Sequence, residues 1–242
     1  MIRSGMSVEV CTYRLSVRGR PVGSQTLKRS ERGRVAFLEA RLQLQGSLGQ
    51  GTITQSSRCH AERYHSHQFR EETDGRGDQR VYDVAFDADD GLVVAARGRA
   101  DRATMPYLRA YRDPLSLLAE IRTLTGTEPE VRRAWRIPML GKDVVVQRGS
   151  DVTLDTPFGP RRARTFVLHP GGSAVYVDLE PPHHLLRMVQ RMEDGVVDAV
   201  LVRVDEDHDM ASLQVPSSES ESGASRRRGR RRGRRRRGRR AS

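Results

Sequence analysis

The feature that most constrains the fold is the regular recurrence of turn chemistry. GRPVG at 19–23, SERG at 30–33, SLGQG at 47–51, DGRGD at 74–78 and DADDG at 87–91 are followed later by FGP, HPGGS, EPPHH and MEDG, starting at 158, 169, 180 and 192. Glycine, proline and aspartate cluster where a chain reverses, and runs of roughly 8–15 residues between such clusters suit an antiparallel meander better than βαβ units. Alternation supports strands: Ala36, Leu38, Ala40, Leu42 and Leu44 fall on one face, with Glu39, Arg41, Gln43 and Gln45 on the other. The run VVDAVLVRV at 196–204 is apolar on both faces near its middle, so its sheet is expected to be covered on both sides there.

One stretch breaks the pattern. YRDPLSLLAEIRTLTG at 111–126 has Asp113 as N-cap, Pro114 where a missing N–H costs nothing, and Gly126 at the C′ position. At 100° per residue Leu117, Leu118, Ile121 and Leu124 share an arc of roughly 120°, and Ser116, Ala119, Glu120 and Thr123 take the opposite side. The expected fold is therefore all-β: an open, curved antiparallel sheet, half-barrel-like, with one central helix at 113–125 in its concavity. A closed sandwich is the competing architecture. The domain is expected to span 8–215, and the four apolar helix residues to form a face toward the sheet or toward an apolar ligand.

Charge separates the body from the C-terminus. Of the 43 basic residues, twelve lie in RRRGRRRGRRRRGRRAS at 226–242, which leaves 31 to balance all 31 acids of the chain. The net charge of +12 thus belongs to the tail, and the pI near 10.8 implies no basic face on the domain. SSESESGAS at 217–225 falls in a Ser/Glu-rich flexible linker placed at 216–225, and the tail at 226–242 is expected to be disordered when free. Its guanidinium groups, Arg226, Arg227, Arg228, Arg230, Arg231, Arg232, Arg234, Arg235, Arg236, Arg237, Arg239 and Arg240, form an array of bidentate phosphate ligands. Without aromatics to stack bases it should read charge and not sequence, which makes nucleic acid or another polyanion the expected partner. No apolar span of ~20 residues and no signal-peptide core are present, so a cytoplasmic location without a transmembrane segment is expected.

Three stretches resemble a bacterial family of unknown function numbered 3108: YRLSVRGRPVGSQTL at 13–27, DPLSLLAEIR at 113–122, and IPMLGKDVVV at 137–146 with DTPFGPRRARTFVLHP at 155–170. The resemblance covers most of 8–205 and none of the tail. It implies an all-β fold comparable in outline to lipoprotein-carrier half-barrels, and hence a carrier or scaffold for an apolar ligand or lipid, with the tail docking on anionic membrane. It supplies no catalytic residues to carry over. The missing export signal and the added tail depart from the family's mostly exported members.

Motifs for chemistry are sparse. CHAERYHSH at 59–67 gathers Cys59, His60, His65 and His67, and in a strand His65 and His67 would share a face. Cys59 and His60 are adjacent and would point apart, so titratable residues on an exposed strand face are the reading adopted, with no metal. His183 and His184 are read as a solvated loop, and Asp90-Gly91 as a hairpin turn, since Gly98 stands where a calcium loop needs glutamate. Cys11 and Cys59 are read as two buried free thiols, with a bridge the alternative. No nucleophile-elbow, Walker or dinucleotide motif occurs in a strand-to-helix context, so a non-enzymatic protein without cofactor is expected.

Overall fold

A computed structural model describes residues 7–75, 78–98, 101–126, 133–192 and 195–207. Eight strands come first: β1 (Val8–Val17), β2 (Arg20–Arg32), β3 (Val35–Leu44), β4 (Gly51–His60), β5 (Ser66–Gly75), β6 (Asp78–Asp87), β7 (Leu92–Arg97) and β8 (Asp101–Pro106). Helix α1 (Pro114–Leu124) follows. Then come β9 (Ala134–Met139), β10 (Lys142–Thr156), β11 (Gly159–His169), β12 (Ser173–Asp178), β13 (Leu185–Met192) and β14 (Gly195–Asp207). All fourteen form one open antiparallel sheet in the order β8 to β1, then β14 to β9. The chain thus starts at the centre, winds out to one edge, crosses through α1 to the other edge and winds back. Where its ends meet, Val8 pairs with Asp207 and Val17 with Val197.

Period-two alternation selects the inner face. Cys11, Tyr13 and Leu15 of β1 and Ala36, Leu38 and Ala40 of β3 are buried, while Arg14, Glu39 and Arg41 are exposed. Two cores result, one on each side of the sheet's centre. Leu15, Trp135, Val146, Phe166 and Leu201 belong to the first, and Leu38, Phe69, Val84, Phe86 and Val93 to the second. Helix α1 lies between them: Leu117 and Ile121 pack into the first core, Leu115 and Ala119 into the second.

A buried polar anchor fixes the helix. Asp113 caps α1 by accepting from Leu115 N at 2.8 Å and Ser116 N at 3.0 Å on Oδ1. Its Oδ2 accepts from Ser57 Oγ of β4 at 2.6 Å and Ser66 Oγ of β5 at 2.5 Å. Ser116 Oγ accepts from Asp113 N at 2.9 Å, which closes a capping box. A carboxylate this deep is tolerated because four donors and the helix N-terminus satisfy it.

Several expectations need correction. Ser116 and Ala119 are not on a solvent side: both are buried, the first as part of the anchor and the second because a small side chain lets the helix approach the sheet. Gly126 follows the C-cap Thr125 without entering the left-handed region. In 19–23 only Gly19 (φ 76°) belongs to the turn, with Arg18 (φ 49°) before it, while Pro21–Gly23 continue β2 and Val22 is buried. Gly23 is required there, because with φ +143° an added Cβ would lie 1.9 Å from Gln43 O on the neighbouring strand. Strand β14 is covered on its inner face, by way of Ala199 and Leu201, whereas Val196 is 41% exposed and Val200 and Val202 are half-buried. A single layer packed on one side accounts for that. The domain end expected at 215, the linker at 216–225 and the tail at 226–242 lie outside the described residues.

Candidate functional site

Where α1 ends above the centre of the sheet, four polar side chains meet at the edge of the first core. Glu9 and Cys11 are two apart on β1 and therefore share its inner face. Arg122 extends from the last turn of α1, and His184 immediately precedes β13. The Arg122 guanidinium forms a two-pronged pair with Glu9, Nη1 to Oε1 at 2.5 Å and Nη2 to Oε2 at 3.0 Å. The same side chain donates from Nε to His183 O at 3.0 Å and from Nη2 to Pro182 O at 2.9 Å, tying the helix end to β1 and to the loop before β13. His184 Nδ1 lies 3.6 Å from Glu9 Oε2 and 3.9 Å from Cys11 Sγ, and Cys11 Sγ lies 3.9 Å from Glu9 Oε1.

The electrostatics follow from burial at the core's edge. Burial would raise the Glu9 carboxyl, but the hydrogen bonds and charge of Arg122, with His184 and Arg29 behind them, hold it below the usual range. Burial, then the Glu9 charge, pushes the Cys11 thiol up to about 12. Burial outweighs the attraction of Glu9 at His184 and lowers that imidazole. The cluster therefore presents a carboxylate, a protonated thiol and a neutral imidazole. A thiol held in that form is a poor nucleophile.

Beside this cluster is a small half-open cavity of about 40 Å³, lined by Cys11, Tyr13, Leu27, Leu38, Leu115 and Leu118 and also by the charged residues Glu9, Lys28, Arg29, Glu39 and Arg122. It has room for one or two waters, whereas pockets for drug-sized ligands begin near ~300 Å³. An open groove of about 490 Å³ adjoins it and shares Glu9, Arg29 and Arg122 with it, so the Glu9–Arg122 pair stands between groove and cavity. Of the four helix residues expected to face an apolar ligand, Leu118 lines this cavity. Leu117 and Ile121 are sealed in the first core, and Leu124 is half-buried against it. Arg226 to Arg240 lie outside the described residues.

The stretch at 59–67 is a hairpin and not one strand. His60 ends β4, Tyr64 adopts φ 56° in the turn, and His67 lies in β5. The reversal brings three rings together, with centroids 5.1 Å apart for His60 and His65 and 5.2 Å for His65 and His67. His60 Nδ1 accepts from Glu62 N at 3.2 Å and Arg63 N at 3.3 Å, securing the turn. Cys59 points away, fully buried in the second core, which separates the thiol from the histidines. Both cysteines are free and buried.

Glu9 and Arg122 were not singled out by sequence reasoning, and His184, read there as part of a solvated loop, is no such residue: its ring packs against Glu9 and Cys11. Spacing alone places Glu9 and Cys11 on one face. Nothing local announces partners 113 and 173 residues away.

The solved structures include a match consistent with this architecture. A β-barrel-like protein of domain of unknown function DUF1849 from Brucella abortus superposes with a TM-score of 0.53 at 10% identity, over 83% of this chain and 98% of that one. At that identity the likeness concerns the fold. Among curated proteins none matches. The pattern described as protein of unknown function DUF3108 matches residues 12–210, from the second half of β1 to just beyond β14, and the chain belongs to that family.

Proposed function

We propose that this is a non-enzymatic binding protein whose Arg-rich tail engages polyanions, nucleic acid above all, without reading sequence. The observation that carries the reading is the charge division: twelve arginines in 226–240 beside a remainder with 31 basic and 31 acidic residues. Counterion release by guanidinium groups supplies affinity to any phosphate backbone. The protonated Cys11 thiol and the absence of an activated nucleophile in the Glu9 cluster fit binding better than catalysis. Because nucleic acid is the partner, the reading places the protein in the cytoplasm. Measured affinity for duplex DNA should fall steeply with salt, each phosphate contact adding a slope of roughly −0.9 in log–log form. Deleting 226–242 should remove most binding, and retained nanomolar affinity in residues 1–225 would place the site on the neutral body.

A second reading has its own support, the cavity between sheet and helix lined by Leu27, Leu38, Leu115 and Leu118. In it the body carries an apolar ligand or lipid and the tail docks on anionic membrane. Such a ligand must displace Leu118 to enlarge about 40 Å³ into a pocket. Solvent extraction of the purified protein followed by mass spectrometry decides it: a stoichiometric lipid supports carriage, and an empty extract removes it.

A further inference from the structure

We infer that Glu9, Cys11 and His184 form a binding site for a divalent transition-metal ion of the zinc class. Their ligand atoms, one carboxylate oxygen, Sγ and Nδ1, all lie within 4.8 Å of one another. The separations of 3.6 Å (His184 Nδ1 to Glu9 Oε2) and 3.9 Å (Cys11 Sγ to His184 Nδ1, and to Glu9 Oε1) are close to what an ion requires. With metal bonds of ~2.3 Å to sulfur and ~2.0–2.1 Å to nitrogen and oxygen, tetrahedral angles put ligand atoms roughly 3.3–3.6 Å apart. The two approaches to Glu9 use different carboxylate oxygens, so with a single oxygen as ligand the three atoms lie within 4.8 Å of one another, and side-chain rotation must close the widest gap by about 1 Å.

The scaffold suits the task. β1 is paired on both sides, by β2 and β14, so Glu9 and Cys11 are carried on an internal strand and not on a loop. His184 is held through its carbonyl, which accepts from Asp178 N at 2.8 Å. Arg122 orients the Glu9 carboxylate by donating to both oxygens, as outer partners of metal ligands do, and each oxygen keeps a second lone pair for an ion. One thiol, one imidazole and one carboxylate favour zinc or cobalt over magnesium or calcium, which prefer all-oxygen shells. On binding, the Cys11 sulfur bonds the ion and releases its proton to solvent, and His184 stays neutral with its proton on Nε2. Nothing is oxidised or reduced. The fourth position falls to water from the adjoining groove, of which Glu9 is a wall.

The test uses the full chain and Co²⁺ alone, followed by Zn²⁺. One equivalent of Co²⁺ should produce a thiolate-to-cobalt charge-transfer band that Zn²⁺ abolishes. The band should be absent in Cys11→Ser and weakened roughly ten-fold or more in affinity in His184→Gln and Glu9→Gln. It should persist in Cys59→Ser and in the combined His60→Ala, His65→Ala, His67→Ala variant. Thermal melts confirm that each variant is folded. Should Cys11→Ser fail to fold, His184→Gln, which alters a loop side chain, decides alone. No band in the full chain, a band retained in Cys11→Ser, or affinity unchanged in His184→Gln would each overturn the assignment.

Discussion

Replacing Asp113 by alanine tests whether one buried carboxylate holds the helix in the sheet. The substitution removes the cap on Leu115 N and Ser116 N, a loss of about 1 kcal/mol at an ordinary helix start. It also strips Ser57 and Ser66 of their acceptor. Ser66 Oγ still has Asp113 N and Ser116 Oγ nearby, but Ser57, itself buried, loses the partner that satisfied it, and such an orphan costs about 1–3 kcal/mol. With the charge-assisted bond to Ser66 added, the total comes to about 3–5 kcal/mol, a large share of the 5–15 kcal/mol that a typical domain possesses. Trp135 is the only tryptophan and lies in the first core, which Ile121 of α1 also enters, so urea unfolding followed by its fluorescence reports on the helix directly. Asp113→Asn retains an acceptor for the helix and should lose less. A double-mutant cycle of Asp113→Ala with Ser57→Ala should show coupling of about 1.5–3 kcal/mol. A loss under 1 kcal/mol for Asp113→Ala, or additivity in the cycle, would refute the anchor.

Other sites give sharper yes-or-no outcomes. Gly23→Ala places a Cβ 1.9 Å from Gln43 O and should abolish cooperative unfolding, read by circular dichroism, whereas a folded variant would mean that β2 and β3 can separate locally. Ile121→Ala, at a position with no exposure, should cost about 2–5 kcal/mol, and Leu118→Ala, half-buried beside the cavity, clearly less; equal losses would contradict the separation of core from cavity wall. Burial, helped by His67, His60, Arg112 and Arg63, lowers His65 from 6.5 to about 4. Between those values the unfolded chain binds the proton that the folded one refuses, so stability should fall as pH drops from about 6.5 to about 4. His65→Asn should flatten that part of the profile, and an unchanged slope would show that another group carries it.

The sheet was legible because turn residues and alternation are local signals, and the helix because Asp113-Pro114 states its start. Periodicity weighs large apolar side chains and overlooks small ones. Ser116 and Ala119 were therefore assigned outward, although a capping box that grips β5 and a close helix–sheet approach both need small residues facing in. The rim cluster was illegible for a different reason. Glu9 and Arg122 are unremarkable charges until a fold brings a first strand, a helix end and a late loop together, and single-residue patterns carry no record of that meeting. The histidines at 60, 65 and 67 were legible as a group, but their arrangement depended on a turn at Tyr64 whose positive φ no glycine announces.

The centre-outward course of the chain fixes the order in which it can be completed during synthesis. Each of β2 to β8 meets a partner as soon as it emerges, since one of its neighbours immediately precedes it in the chain. β1 has to wait: its second partner is the last of the described strands to be made, so the middle of the finished sheet is an open edge until β14 emerges. During that interval Val8–Val17 offers unpaired backbone groups and apolar side chains to any other nascent chain. When β14 arrives it joins the two half-sheets in one step, and the same step delivers Cys11 and Glu9 to a β13 whose preceding loop already carries His184. The site at the helix end is thus among the last features to be assembled, and a ribosome that stalls before Gly195 would release a chain with its central seam open.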